Sequence, residues 1–80
     1  MHIAVELSLY PLAVEFIPSI LDFIDRLKAR PGIAVVTNSM STQVSGELDA
    51  VFDALRAEIA TTFGAGHRSV FVMKVLGGSD

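Results

Sequence analysis

From His2 to Tyr10 apolar and polar residues alternate without a break. Ile3, Val5, Leu7 and Leu9 fall on one side, and His2, Ala4, Glu6, Ser8 and Tyr10 on the other. A helix would scatter these aliphatic residues around its circumference, because its period is about 3.6 rather than two. The segment therefore reads as a strand with one face in a core. Pro11 has no backbone donor to continue a ladder and is expected to stop it.

The period then changes. Ile17, Ile20, Leu21, Ile24 and Leu27 share one helical face, which predicts a helix over 17–30. Pro18 suits its first turn, and Arg26, Lys28 and Arg30 gather at the end that the helix dipole makes negative. Asp22, Asp25, Arg26 and Lys28 read as its solvated face, and Pro31-Gly32 ends it. Strands are expected over 33–38 and 42–46, with Ser39-Met40-Ser41 as the turn between them. Leu48, Val51, Phe52, Leu55, Ile59 and Phe63 then step by three and four, predicting a second helix over 47–63. Glu47 and Asp49 place negative charge at its start, and Gly64-Ala65-Gly66 closes it. A last strand is expected over 69–76, followed by a frayed tail from Gly77 to Asp80.

The order β-α-β-β-α-β belongs to the α+β class and predicts a ferredoxin-like fold: a four-stranded antiparallel sheet with both helices on one face. Right-handed crossovers put the first strand at the centre, between the third and fourth. Residues 1–80 are expected to form a single domain.

Composition narrows the function. With 80 residues, 51% of them hydrophobic, the chain has more apolar side chains than so small an interior can take. Some should meet another subunit, so a homodimer or homotetramer is expected. A net charge of −3, with no basic cluster beyond Arg26, Lys28 and Arg30, argues against nucleic acid as a partner. The absence of cysteine excludes disulfides, thiolate catalysis and Cys-based metal sites. MHIAVELSLYPL carries Glu6 and no basic leader, so it does not read as a secretory signal, and no apolar run is long enough for a membrane span. A cytoplasmic protein with no membrane partner is the expectation.

The topology also brings polar residues together. The C-terminal end of the first strand should lie beside the turn between the second and third. Ser8 and Tyr10, on the face away from the helices, then come near Asn38, Ser41 and Thr42. Tyr10 offers a ring for stacking and a hydroxyl, Asn38 a donor and an acceptor, and Ser41 and Thr42 adaptable hydroxyls. No nucleophile stands next to a base. His2 and His67 are far apart, neither with a carboxylate at triad or metal-ligand spacing. The combination reads as a site that binds without reacting, with no catalytic residues, no metal and no cofactor.

VELSLYPL, GIAVVTNSMSTQVSGELDAVFDAL and VFVMKVL resemble the YkoF-like thiamine-binding family, over about Ile3 to Leu76. The resemblance implies a ferredoxin-like fold and the binding of thiamine or its hydroxymethylpyrimidine part, in salvage, transport or sensing. Members with two repeats carry two such units, so a one-repeat chain is implied to assemble from two or four copies. It also implies a site at Ser8, Tyr10 and the segment Asn38 to Thr42. Glu6 would be the acidic partner for an aminopyrimidine or a thiazolium, and Met40 a soft apolar wall. The chain departs from a double aromatic clamp, since no second aromatic follows on that face of the first strand.

Each of these residues also has a structural explanation. Tyr10 could pack at a subunit interface, Asn38 and Ser41 could serve the turn, Glu6 could pair with Lys74 across strands, and Met40 and Met73 could simply fill space. An oligomeric interaction or regulatory module without a dedicated ligand is thus the alternative function. Two enzymatic or nucleic-acid readings of the fold fail on the sequence. Acylphosphatase chemistry wants an arginine in a glycine-rich loop after the first strand, where PLAVEFIPS has neither. RNA recognition wants paired aromatics and basic residues on the open face.

Overall fold

The computed structural model describes residues 1–78. Six elements follow one another: β1 (His2–Pro11), α1 (Ile17–Lys28), β2 (Ile33–Thr37), β3 (Thr42–Glu47), α2 (Leu48–Phe63) and β4 (Ser69–Leu76). The four strands form one antiparallel sheet in the order β2-β3-β1-β4. This is the ferredoxin-like arrangement that the periods predict, with β1 between β3 and β4 as the crossover rule requires. Of the expected tail, Gly77 and Gly78 follow β4, while Ser79 and Asp80 lie outside the described residues.

The inward set of β1, namely Ile3, Val5, Leu7 and Leu9, is buried with Val44 of β3 and with Phe23, Leu27, Val51, Ala54 and Leu55 of the helices. The alternation in β1 therefore does what it predicts. Pro11 does not stop the strand: it is still paired, opposite Ser69. Pairing with β3 has already ended at Leu7, and the next ladder bond runs from the Leu12 N–H to the Arg68 carbonyl, towards β4. Backbone N–H groups alternate sides along a strand, so the missing donor of Pro11 falls on the side that has no neighbour.

Both helices are rotated from the expected stripes. On α1, Phe23 and Leu27 are buried with Ile20 packed beside them, whereas Ile17 and Leu21 are half exposed. Phe23 decides this rotation. Its ring lies 5.0 Å from that of Phe71, which in turn stands 5.6 Å from Phe63. A row of three aromatics buries more area than either Ile17 or Leu21 could, so the helix turns to seat the ring. On α2 the expected Val51 and Leu55 are buried with Leu48 and Ile59 packed against the core, but Ala54, Glu58 and Thr62 are buried as well, while Phe52 and Phe63 keep 41% and 54% of their surface in solvent.

Glu58 explains the second rotation. Its carboxylate, with only 10% of the side chain exposed, accepts from Arg26 Nη1 at one oxygen and from Arg30 Nε at the other, both at 2.6 Å. Arg26 also donates to Asp22 at 2.9 Å, to the Glu58 carbonyl at 3.1 Å and to Thr62 Oγ1 at 3.0 Å. Arg26 therefore leaves the solvated face assigned to it and clamps α1 to α2. Burial opposes charge on both partners. The hydrogen bonds between them outweigh it, holding the Glu58 carboxyl below and the Arg26 guanidinium above their ordinary values.

Turns at the far end of the sheet show what the Ser-Gly-Glu run is for. Gly46 has φ +153°, and a side-chain carbon there would sit 3.0 Å from the Gly32 carbonyl oxygen. Glycine lets β3 pass that close to the start of β2. Glu47 then precedes α2 without capping it; its carboxylate reaches the Met1 amino group at 2.7 Å, and Asp49 supplies the negative charge in the first turn.

The clamp yields a signed pH prediction. The Glu58 carboxyl is held below its ordinary value of 4.5, so its contribution is complete above that pH and is lost as pH falls through the lower folded value. Glu58→Gln should cost about 2 kcal/mol at about pH 7. The gap between variant and parent should shrink when the pH is lowered well below 4.5, as the carboxyl begins to take up a proton and the parent loses the ion pairs. Urea denaturation at the two pH values measures both; an equal gap at each would show that Glu58 is not the titrating group.

Candidate functional site

The helices cover one face of the sheet and leave the other open. On that face, at the C-terminal end of β1, lies a trough of about 530 Å³ lined by Glu6, Ser8 and Tyr10 of β1, residues 38–41 of the β2–β3 turn, and Val72 and Lys74 of β4. β1 supplies its floor through the polar half of the alternation that buries Val5, Leu7 and Leu9. The neighbours follow from register: Lys74 stands opposite Glu6, Val72 opposite Ser8 and Val70 opposite Tyr10.

The turn is held rigid by its own side chains. Asn38 Oδ1 accepts from the backbone N–H groups of Met40 and Ser41, at 2.7 and 2.9 Å, and the Asn38 N–H donates to the Ser41 carbonyl at 3.1 Å. An asparagine that closes the backbone this way is acting as turn chemistry. Two hydroxyls then fasten the turn to β1. Ser8 Oγ donates to the Met40 carbonyl at 3.2 Å, and Ser41 Oγ donates to Glu6 Oε2 at 3.3 Å. The other Glu6 oxygen faces Lys74 Nζ at 3.6 Å.

Glu6, Ser8, Tyr10, Asn38, Met40 and Ser41 come together around one trough; the topology argument expects this of Ser8, Tyr10, Asn38 and Ser41, and the resemblance adds Glu6 and Met40. Thr42 does not join them. It is 7% exposed, pairs with Leu7 and faces the helices, where a smaller hollow of about 140 Å³ separates the turn from Ile20 and Ile24. Parity decides this. Thr42 sits opposite an inward residue of β1, and neighbours across a ladder share a face. Asn38 is also changed by the structure, since its carbonyl is committed to the turn and only its NH2 group is left for a ligand.

The trough has members beyond the expected set. Ser39 lines it from the turn, and Val72 and Lys74 from β4. Val72 could have been placed by carrying the register from Tyr10 back through β4; Ser39 carries no signal of its own. Tyr10 keeps 54% of its surface exposed and Met40 85%, so the trough has an aromatic wall and a thioether wall in contact with solvent. Hydroxyls, one carboxylate, one ammonium and a ring can hold a small polar heteroaromatic molecule. His2 stands at the far end of the sheet opposite Glu47, and His67 lies beside Ser19 on the helix side, so neither imidazole reaches the trough.

The profile of the YKOF-related family matches residues 2–73. The chain belongs to the YKOF-related family. Solved structures extend the likeness of the fold. A hypothetical protein from Methanocaldococcus jannascii shares 25% identity with a TM-score of 0.84, over 99% of this chain and 82% of that one. A protein from Streptococcus pneumoniae shares 17% identity with a TM-score of 0.80, over 99% and 89%. A candidate thiamine biosynthesis/salvage protein from Thermotoga maritima shares 17% identity with a TM-score of 0.71, over 94% and 82%. Among curated proteins none matches the chain significantly.

For this YKOF-related chain the turn geometry is testable apart from any ligand. Asn38→Ala removes the acceptor of two backbone donors and should cost about 1 kcal/mol of stability. Asn38→Asp keeps an oxygen there and should cost less. Equal losses in urea denaturation would mean that the acceptor is not what holds the turn.

Proposed function

We propose that this chain is a non-catalytic binding protein for thiamine or its hydroxymethylpyrimidine moiety, working in thiamine salvage, transport or sensing in the cytoplasm. The observation that carries this reading is the trough itself: an exposed Tyr10 ring beside a carboxylate and a hydroxyl-rich turn already held in shape by Asn38, Ser8 and Ser41. An aminopyrimidine has a face to stack, an amino group to donate and ring nitrogens to accept. Tyr10 can meet the face, Glu6 the amino group, and the Asn38 NH2 or Ser39 the ring nitrogens. The preformed turn keeps the ordering cost of binding low. Family membership and the Thermotoga relative point the same way.

Titration calorimetry with thiamine and with hydroxymethylpyrimidine tests this directly. Saturable binding is expected, and Tyr10→Ala should weaken it about tenfold. Absence of heat from either ligand would sink the proposal.

A second reading rests on the open face around the trough. Val36, Val72 and Leu76 keep 61%, 54% and 71% of their surface in solvent there. An exposed apolar sheet face suits a homodimer or homotetramer in which the sheet is covered by another copy. Val36 lies opposite Gln43 and outside the trough. Val36→Glu should therefore shift the protein to a smaller species in sedimentation velocity while ligand heat remains. An unchanged sedimentation coefficient would exclude this face as the interface. Assembly without ligand heat in the parent would favour an interaction or regulatory module.

A further inference from the structure

Glu6 and Lys74 line more than the trough. A second hollow of about 310 Å³ adjoins it along β1, bounded by Ala4, Gln43 and Leu76 and by the same Glu6 and Lys74. The ion pair therefore stands as a low divider between two compartments. Register places Gln43, Glu6 and Lys74 in one row across β3, β1 and β4, so the carboxylate is flanked by an amide on one side and an ammonium on the other.

The divider is unequally held. Glu6 is steadied by Ser41 at 3.3 Å, and its side chain is 44% exposed. Lys74 is 83% exposed and meets Glu6 at 3.6 Å, beyond a good charge-assisted hydrogen bond. Such a solvated pair is worth little, so the ammonium can swing aside at small cost. A cation entering the trough would compete with Lys74 for Glu6 and would leave the ammonium close by as a repelling like charge. A simple anion would meet Glu6. Only a ligand carrying both signs satisfies both side chains at once.

We propose that the site is matched to a zwitterionic ligand: a cationic or amine-bearing heteroaromatic ring at Tyr10 and Glu6, joined to a phosphate monoester that Lys74 and Gln43 bind in the second hollow. This rests on the ligand-binding reading above and narrows it to phosphorylated forms. Lys74 becomes a specificity residue, giving up Glu6 to the ring and taking the phosphate. Gln43 contributes its NH2 group from the opposite side of the row.

Thiamine and thiamine monophosphate make the comparison, since they differ only in the phosphate. In titration calorimetry of the whole chain the monophosphate should bind at least tenfold more tightly, and the difference should narrow as salt is raised. Lys74→Met should abolish the difference by weakening the ester alone, whereas Lys74→Arg should retain most of it. Equal or weaker binding of the monophosphate to the parent, or a preference that survives in Lys74→Met, would overturn the proposal with the binding function intact. Binding of inorganic phosphate as tightly as the ester would overturn it too, since the ring would then contribute nothing. If neither thiamine form binds, the ligand-binding reading fails and this proposal fails with it.

Discussion

The constraint on which everything else here depends is the parity of β1. The strand is hydrogen-bonded on both sides, to β3 through Leu7 and to β4 through Pro11, so it cannot slip against either neighbour independently. Its odd-numbered residues from Ile3 to Leu9 make the core, and Glu6, Ser8 and Tyr10 on the other side make the floor of the trough. A slip of one residue would put Glu6 and Ser8 under the helices and expose Val5 and Leu7. Core and candidate site are thus two faces of a single pattern. Stability enforces the geometry of the site without any residue of the site having to contribute to it.

The turn after β2 solves a different problem. A short loop at a sheet edge leaves backbone donors that need partners. Here Asn38 satisfies two of them, and Ser8 gives the Met40 carbonyl its donor. Those bonds draw the loop over the outer face of β1 and turn an open ladder end into a walled trough. The polar richness of TNSMSTQ therefore has two explanations that do not compete. One set of atoms builds the wall, and the atoms left over face the space it encloses.

Much of the fold was legible because it rests on period and order. The final strand spans Ser69–Leu76 as expected, and β1 lies between β3 and β4 as crossover handedness requires. What escaped depends on partners distant in sequence. Two apolar stripes of α1 satisfy a helical period, and only the ring of Phe71 on β4 selects the one containing Phe23. Glu58 looks like a surface residue until Arg26 of α1 and Arg30, just beyond the end of that helix, are found facing it. At the candidate site, the strand parity that grouped Glu6, Ser8 and Tyr10 would also have turned Thr42 inward, had the ladder been carried from Leu7 across to β3. The gathering of polar residues was within reach of topology, while the division of labour inside Asn38 needed atomic distances.

The open face raises one more point of physics. A sheet covered on one side only needs apolar residues on that side. Val36, Val72 and Leu76 on the uncovered side contribute nothing to this core, and polar residues there would serve the isolated domain as well or better. Exposed apolar side chains of this kind would gain from being covered, which is the ground for the assembly proposed above. Tyr10, Glu6 and Lys74 share that surface, so a covering subunit and a small ligand would occupy adjoining ground. A ligand seated over β1 would fill space that a second sheet must otherwise fill with side chains, and a second sheet would remove the water that weakens each polar contact in the trough. If the proposed binding and assembly both use this face, each would strengthen the other through the same excluded water.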